Sequence, residues 1–312
     1  DVSLVGSEMC IRDRSNVCIT MSGTNGLLDI FLALVNPGDN VLIPEPYFPL
    51  YPPDVEICGG SPNLYPCRFE NGFVPTIKDL EERVNSSTVA ILYNFPSNPT
   101  GGNVNPEQRD ELVEFAKRND LWIISDEVYD RIVYDAPHVS FIGAGYDKVI
   151  MVQSFSKTFA MTGWRIGYLL SPDQQAMEQL TKMQYYVTAC SNDAMQHAVL
   201  EALEKAPDYP ESMRSEFKNR RDLICERLNA MPGVTCHVPT GAFYVFPKVD
   251  VPGMNSEEIA MSLLEGGVLC SPGTAFGSAG EGHLRFAYTI SRDDISRGMD
   301  RVEKILAKLR GD

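Results

Sequence analysis

From Val17 onward, short β-rich runs alternate with amphipathic helical stretches, and this alternation constrains the fold more than any other feature of the chain. Residues 17–21 read as a strand and residues 22–24 as a turn. Leu27, Leu28, Phe31, Leu32 and Val35 then recur on one helical face until N-P-G-D (residues 36–39) stops the helix. That is half of a βαβ unit. Further apolar runs follow at residues 40–43, 88–93, 121–125 and 148–153, with a helix predicted over Pro106–Arg118. Repeats of this kind imply an α/β fold whose mostly parallel sheet is sandwiched by helices.

After about Pro207 the texture changes. A long charged helix over about 209–230 leads into strand-like residues 234–238 and 242–246, a helix at 256–265, strand-like 268–270 and 283–288, and a closing helix at 292–309. This reads as a smaller C-terminal α+β domain. Length supports two units, since 312 residues is twice the roughly 150 of an ordinary domain. The expected division is a large domain at 15–207 and a small one at 208–312. Residues 1–14 begin with Asp1 and lack both the pattern of a signal peptide and any helical or strand period. The stretch S-E-M-C-I-R-D-R (residues 7–14) resembles translated adapter read-through, so a non-native leader on an N-terminally truncated fragment is expected.

Charge and cysteine usage exclude several partners. The chain has 27 basic against 42 acidic side chains, a net charge of -15, which repels a phosphate backbone and argues against nucleic acid. Apolar runs such as residues 30–35 are far too short for a membrane span. The eight cysteines form no C-x-x-C pair and no metal-ligand rhythm with the four histidines. Reduced thiols in the cytoplasm, without a metal, are the expectation.

In a parallel α/β sheet, ligands bind beyond the carboxyl ends of strands. Four such loops carry unusual residues. S-G-T-N-G (residues 22–26) places small residues at a helix N-terminus, where free N–H groups suit a phosphate; a simple N-cap is the other reading. S-N-P-T-G-G (residues 97–102) is a tight turn able to present the Asn98 amide. S-D-E-V-Y-D (residues 125–130) sets Asp126, a carboxylate able to hold a protonated ring nitrogen, three residues before Tyr129, a phenol able to bond an oxyanion. A capping aspartate and a core tyrosine are the alternative there.

The strongest signal is S-F-S-K-T-F-A-M-T-G-W-R-I-G-Y (residues 154–168). A free lysine, with a pKa near 10.4, is protonated at neutral pH, so Lys157 becomes a nucleophile only if burial or a nearby cation lowers that value. Arg165 is a candidate for the cation and for a phosphate clamp. Near the C-terminus, Arg285 lies in an apolar β-like run, where a guanidinium requires a partner that is either structural or a substrate carboxylate.

Together, in order and at matching separations, the S-N-P-T-G, S-D-E-x-Y, S-x-S-K and G-W-R-I-G-Y segments resemble the fold-type I, class I pyridoxal-phosphate-dependent aminotransferases, in particular the aspartate and aromatic branch. The resemblance spans about residues 15–309. It implies that Lys157 is the Schiff-base lysine and proton shuttle, that Asp126 pairs with the pyridinium nitrogen of pyridoxal 5′-phosphate, and that Tyr129 and Asn98 bond the ring 3′ oxygen. Gly23, Thr24, Ser154 and Arg165 would hold the phosphate, Phe48 in P-Y-F-P would stack on the ring, and Arg285 would take the substrate α-carboxylate. It also implies an amino acid and a 2-oxo acid as ping-pong substrates, and a homodimer in the full-length parent. The resemblance further implies an N-terminal arm, which is expected to be missing from a fragment truncated before Ser15.

Three alternatives stand beside this reading. A pyridoxal-phosphate C–S lyase would use the same residues, and a truncated remnant would be non-catalytic. Ser154-Phe155-Ser156-Lys157 also matches the S-x-x-K of penicillin-recognising hydrolases, but the companion strings S-D-N and K-T-G are missing from the sequence.

Overall fold

The computed structural model describes residues 14–311, so the expected leader lies, Arg14 apart, outside the described residues. A seven-stranded sheet dominates. Its strands are β1 (Val17–Thr20), β2 (Asn40–Glu45), β3 (Ser61–Pro66), β4 (Thr88–Asn94), β5 (Trp122–Asp126), β6 (Val149–Ser154) and β7 (Gly167–Leu170), in the spatial order β1-β7-β6-β5-β4-β2-β3. The pairs among β2 to β6 are parallel, whereas β7 runs antiparallel to both of its neighbours, β6 and β1. The sheet is therefore mostly parallel.

One connection differs from expectation. The helix after β1, α1 (Gly23–Leu34), does not close a local βαβ unit, because four strands separate β1 from β2. Instead α1 crosses the sheet, touching β6 and β7 on its way. Its stripe of Leu27, Ile30 and Phe31 is almost fully buried, and burying each such side chain contributes about 1.5–3 kcal/mol.

Strand alternation builds a core on both faces. Val41, Ile43, Ala90, Leu92, Ile124 and Ile150 pack with α1, while Leu42, Ile91, Tyr93, Ile123 and Met151 point to the opposite face. Short helices α2 (Tyr51–Ile57) and α3 (Ile77–Glu81) flank β3, and α4 (Pro106–Arg118) spans the residues predicted for it. Asn105 caps α4 and Pro106 occupies its first turn, where a missing N–H costs nothing. After β6 come a single turn, α5 (Phe155–Thr158), and two helices not foreseen from the sequence, α6 (Gln174–Thr188) and α7 (Asp193–Lys205).

The remaining chain holds α8 (Tyr209–Asn229), α9 (Ser256–Glu265) and α10 (Arg292–Arg310) against short antiparallel strands: β8 (Val234–Thr235), β9 (Tyr244–Val245), β10 (Lys248–Val249), β11 (Ser271–Pro272) and β12 (Leu284–Ala287). The expected strands 234–238, 242–246 and 283–288 are shorter, and that at 268–270 starts later. Beyond Thr235 the chain leaves the ladder, because Cys236 N–H donates to Asn229 Oδ1 on α8. Residues 268–270 form no ladder, Leu269 is 81% exposed, and pairing starts at Ser271. Tyr129, Ile132 and Tyr134, which follow β5, join the hydrophobic cluster of this C-terminal region.

Candidate active site

Parallel register brings the functional side chains together. Asn94 pairs with Asp126 at the carboxyl ends of β4 and β5, and Asp126 pairs in turn with Val152 of β6, two residues before Ser154. A cleft of about 310 Å³ opens over these ends, a size suited to a small ligand. All ten residues singled out from the sequence line it: Gly23, Thr24, Phe48, Asn98, Asp126, Tyr129, Ser154, Lys157, Arg165 and Arg285.

Asp126 is 5% exposed. Its Oδ2 accepts a 2.6 Å hydrogen bond from the Tyr51 hydroxyl and its Oδ1 a 3.3 Å bond from Val128 N–H. Burial nevertheless prevails and pushes its pKa up to about 6, against the opposing pull of those two donors and of Lys157. Asn94 ties the neighbouring backbone, donating Nδ2–H to Asp126 O at 3.1 Å and accepting Asn98 N–H on Oδ1 at 2.8 Å. The S-N-P-T-G-G turn is thereby fixed to the ends of both strands.

Lys157 sits on α5, directly after β6, where the Ser154 hydroxyl caps the turn by accepting Ser156 N–H at 3.2 Å. Its Nζ lies 5.7 Å from the Tyr129 ring centre and 5.4 Å from that of Phe243. Among the described residues it has no hydrogen-bond or ion-pair partner. Burial lowers its pKa, and the positive charges of Arg165 and Arg285 act in the same direction, while Asp126 opposes them. Lys157 is thus a desolvated amine among aromatic rings rather than a solvated surface charge.

At one end of the cleft, Ser22 caps α1 and accepts Asn25 N–H, leaving the N–H groups of Gly23 and Thr24 without partners inside the helix. Ser22 holds φ at +135°, a strained region that non-glycine residues rarely occupy. A Cβ on Gly23 would come within 3.3–3.5 Å of Val128, Val152 and Ser154, so the small residue keeps this corner open. The Ser156 hydroxyl is buried here without a partner, and exposed Arg165 reaches the same end with Nη1 on Thr162 O at 3.0 Å. An anion-sized set of donors results.

Arg285 stands at the other end. No carboxylate partners it among the described residues; Nη1 donates to Asn98 Oδ1 at 2.9 Å and Nη2 to Ser271 Oγ at 3.3 Å, and buried Nε is left without an acceptor. The rings of Tyr244 and Phe276 each lie 4.6 Å from the guanidinium carbon. The tyrosine hydroxyls of Tyr129 and Tyr244 meet at 3.1 Å. Phe48 meets Tyr51 edge-on, with ring centres 5.5 Å apart.

Sequence reasoning missed Tyr51, Asn94, Ser156 and Tyr244, all of which line the cleft. Asn94 left a signal, a polar residue closing an apolar strand beside S-N-P. Tyr51 stands three residues after Phe48, one helical turn along, but its partner Asp126 is 75 residues distant. Nothing local marks Tyr244. Among the described residues, no group of three or more His, Cys, Asp or Glu side chains is placed to hold a metal ion.

Comparison with known proteins agrees with this geometry. The family described as aminotransferase class I and II matches residues 3–302. The aspartate aminotransferase of Pyrococcus horikoshii is 38% identical over 93% of this chain and 75% of its own length. The aromatic-amino-acid aminotransferase 2 of Thermococcus litoralis is 36% identical over 94% of this chain and 76% of its own. The crystal structure of the aromatic aminotransferase from P. horikoshii superposes with a TM-score of 0.90 at 35% identity, covering 94% of this chain and 80% of that one. A chain with this sheet, these motifs at the strand ends and relatives of this similarity belongs to the class I and II aminotransferase family.

Proposed function

We propose that the cleft binds pyridoxal 5′-phosphate and that the protein moves an amino group between an L-amino acid and a 2-oxo acid in two half-reactions. One observation carries the reading: a half-buried lysine amine without an acid partner shares a cleft with a buried carboxylate, between an anion cradle and an arginine that also lacks an acid. The donor set fits the cofactor's chemistry, with amide and hydroxyl donors plus Arg165 for a phosphate, an acid for a ring nitrogen, and a phenol for a ring oxygen.

When bound, the group supplies an aldehyde and an electron-accepting ring. Gly23, Thr24, Ser154 and Arg165 bind its phosphate, and Phe48 packs on the ring. Asp126 holds the proton on the ring nitrogen, which requires the ionised carboxylate, the form present above about pH 6. Tyr129 and Asn98 orient the ring through its 3′ oxygen. Lys157, its pKa lowered by burial, is a base able to take and return the proton at the substrate Cα. Arg285 orients the substrate through its α-carboxylate, for which the planar fork is suited.

The same proposal places the cofactor-binding domain at residues 15–207 and the small domain at 208–312, with the enzyme acting as a cytoplasmic homodimer. Kinship supports the dimer. The seven described cysteines, all free, support a reducing compartment. A donor panel of aspartate, phenylalanine, alanine and glutamate tests the reaction. Each productive donor alone converts the bound cofactor stoichiometrically, as followed by absorbance, and a 2-oxo acid reverses the change. Release of pyruvate and ammonia from a cysteine-type substrate, with no oxo-acid requirement, would show a lyase instead.

A further inference from the structure

Tyr129 and Arg285, which have separate tasks in the proposed function, are joined by a third side chain that has none. Tyr244 lies on β9 opposite Ala287 of β12. Arg285, two residues back along β12, shares its face as a diagonal neighbour. That placement explains why the Tyr244 ring reaches the guanidinium at 4.6 Å. Its hydroxyl reaches the other way, to the Tyr129 hydroxyl at 3.1 Å, and this is the one hydrogen bond that either phenol makes among the described residues. Both tyrosines are buried, 8% and 3% exposed.

We propose that Tyr244 is a positioning residue for transamination, which aims the Tyr129 proton into the cleft and helps to fix the plane of Arg285, so that one side chain acts on both of these groups. The proposal rests on the roles given above to Tyr129 and Arg285. A pair of phenols shares one donated proton. If Tyr244 donates, Tyr129 keeps its own proton for an acceptor in the cleft; if Tyr129 donates, that proton is directed away. The Arg285 cation beside Tyr244 favours the first arrangement, because positive charge makes the nearer O–H the stronger donor. Accepting from Tyr244 then strengthens the bond that Tyr129 donates, by roughly 10–30%. The ring has a separate effect, since it limits the orientations open to the guanidinium.

Tyr244→Phe keeps the ring and removes the hydroxyl, whereas Tyr244→Leu removes both. The full chain loaded with pyridoxal 5′-phosphate gives two readouts: the pH midpoint of the bound-cofactor absorbance, and the dissociation constants of maleate and 3-phenylpropionate as unreactive carboxylates. Tyr244→Phe is expected to raise the midpoint by a few tenths of a unit, because a ring oxygen made more basic by the loss of support holds its proton longer. Its carboxylate affinity stays within about threefold of the parent, since the ring contact survives. Tyr244→Leu raises the midpoint and also weakens the tighter carboxylate about tenfold.

Tyr129→Phe and Arg285→Met calibrate the two readouts. If Tyr129→Phe moves the midpoint and Tyr244→Phe does not, the proposal is overturned while the role of Tyr129 stands. The same holds if Arg285→Met loses carboxylate affinity and Tyr244→Leu keeps it. If neither calibrating variant changes its readout, the functional assignment falls and this proposal falls with it. The Tyr244→Phe midpoint is decisive for the hydroxyl even where the leucine variant folds poorly.

Discussion

Replacing Gly101 with alanine strikes the contact on which the substrate end of the site depends. Gly101 holds φ at +70°, and its carbonyl accepts N–H groups of Thr240 and Gly241 at 3.1 and 3.2 Å. A Cβ there would fall 2.3 Å from Pro239 Cβ, 3.0 Å from Gly241 O and 3.1 Å from Tyr244 O. Left-handed backbone costs an alanine about 1–2 kcal/mol, and parting the two backbone bonds costs about 1 kcal/mol each. The expected loss is about 3–4 kcal/mol. Gly38→Ala isolates the backbone share, because Gly38 has φ +97° and nothing within 4 Å of its would-be Cβ; it should lose only about 1–2 kcal/mol. Urea unfolding of both variants measures the difference, which should appear in the midpoint rather than the slope. KM for the amino acid should rise in Gly101→Ala alone, since Asn98 and Tyr244 lie on the segments driven apart. Equal destabilisation of the two variants would refute the steric argument.

Three further outcomes follow from the charges. Tyr51→Phe removes a charge-assisted bond from Asp126, of a kind worth about 1.5–3 kcal/mol, so the carboxyl pKa should climb by about one to two units. Cofactor affinity, lost as pH falls through that value, should then fail at correspondingly higher pH in equilibrium titrations, and an unshifted profile would contradict the role of Tyr51. Asp29 is fully buried on α1 with Oδ2 lacking a partner, and burial raises its pKa to about 7. A raised acid destabilises the fold increasingly as pH climbs from its unfolded value near 3.8 to about 7. Asp29→Asn should therefore be more stable than the parent at pH 8, on the order of 2 kcal/mol after screening, with the gain vanishing toward pH 4 in denaturant titrations. Arg285→Lys keeps the charge and loses the fork, so KM for the amino acid should rise at least about tenfold; an unchanged KM would place the carboxylate elsewhere.

The sequence showed what is local and concealed what is made by pairing. β2, β4, β5 and β6 are buried on both faces and so read as continuous apolar runs. β3 lies at the sheet edge as S-P-N-L-Y-P, and its two prolines hide it from a strand pattern. The distant placement of β1 and β2 was illegible because α1 carries the same amphipathic stripe whether β2 is the neighbour of β1 or lies beyond four other strands. Site residues next to strand ends were legible for the same local reason: Asp126 and Ser154 terminate their strands and Asn98 follows one. Tyr244 was not, since its two partners lie 115 residues before it, at Tyr129, and on another strand, at Arg285.

Borohydride reduction of the protein loaded with pyridoxal 5′-phosphate, followed by peptide mass mapping, tests most directly whether Lys157 is the amine on which the site is built. A single cofactor adduct on the peptide carrying Lys157, lost in Lys157→Ala, is the expected result. An adduct on another lysine, or an undiminished adduct in Lys157→Ala, would contradict it.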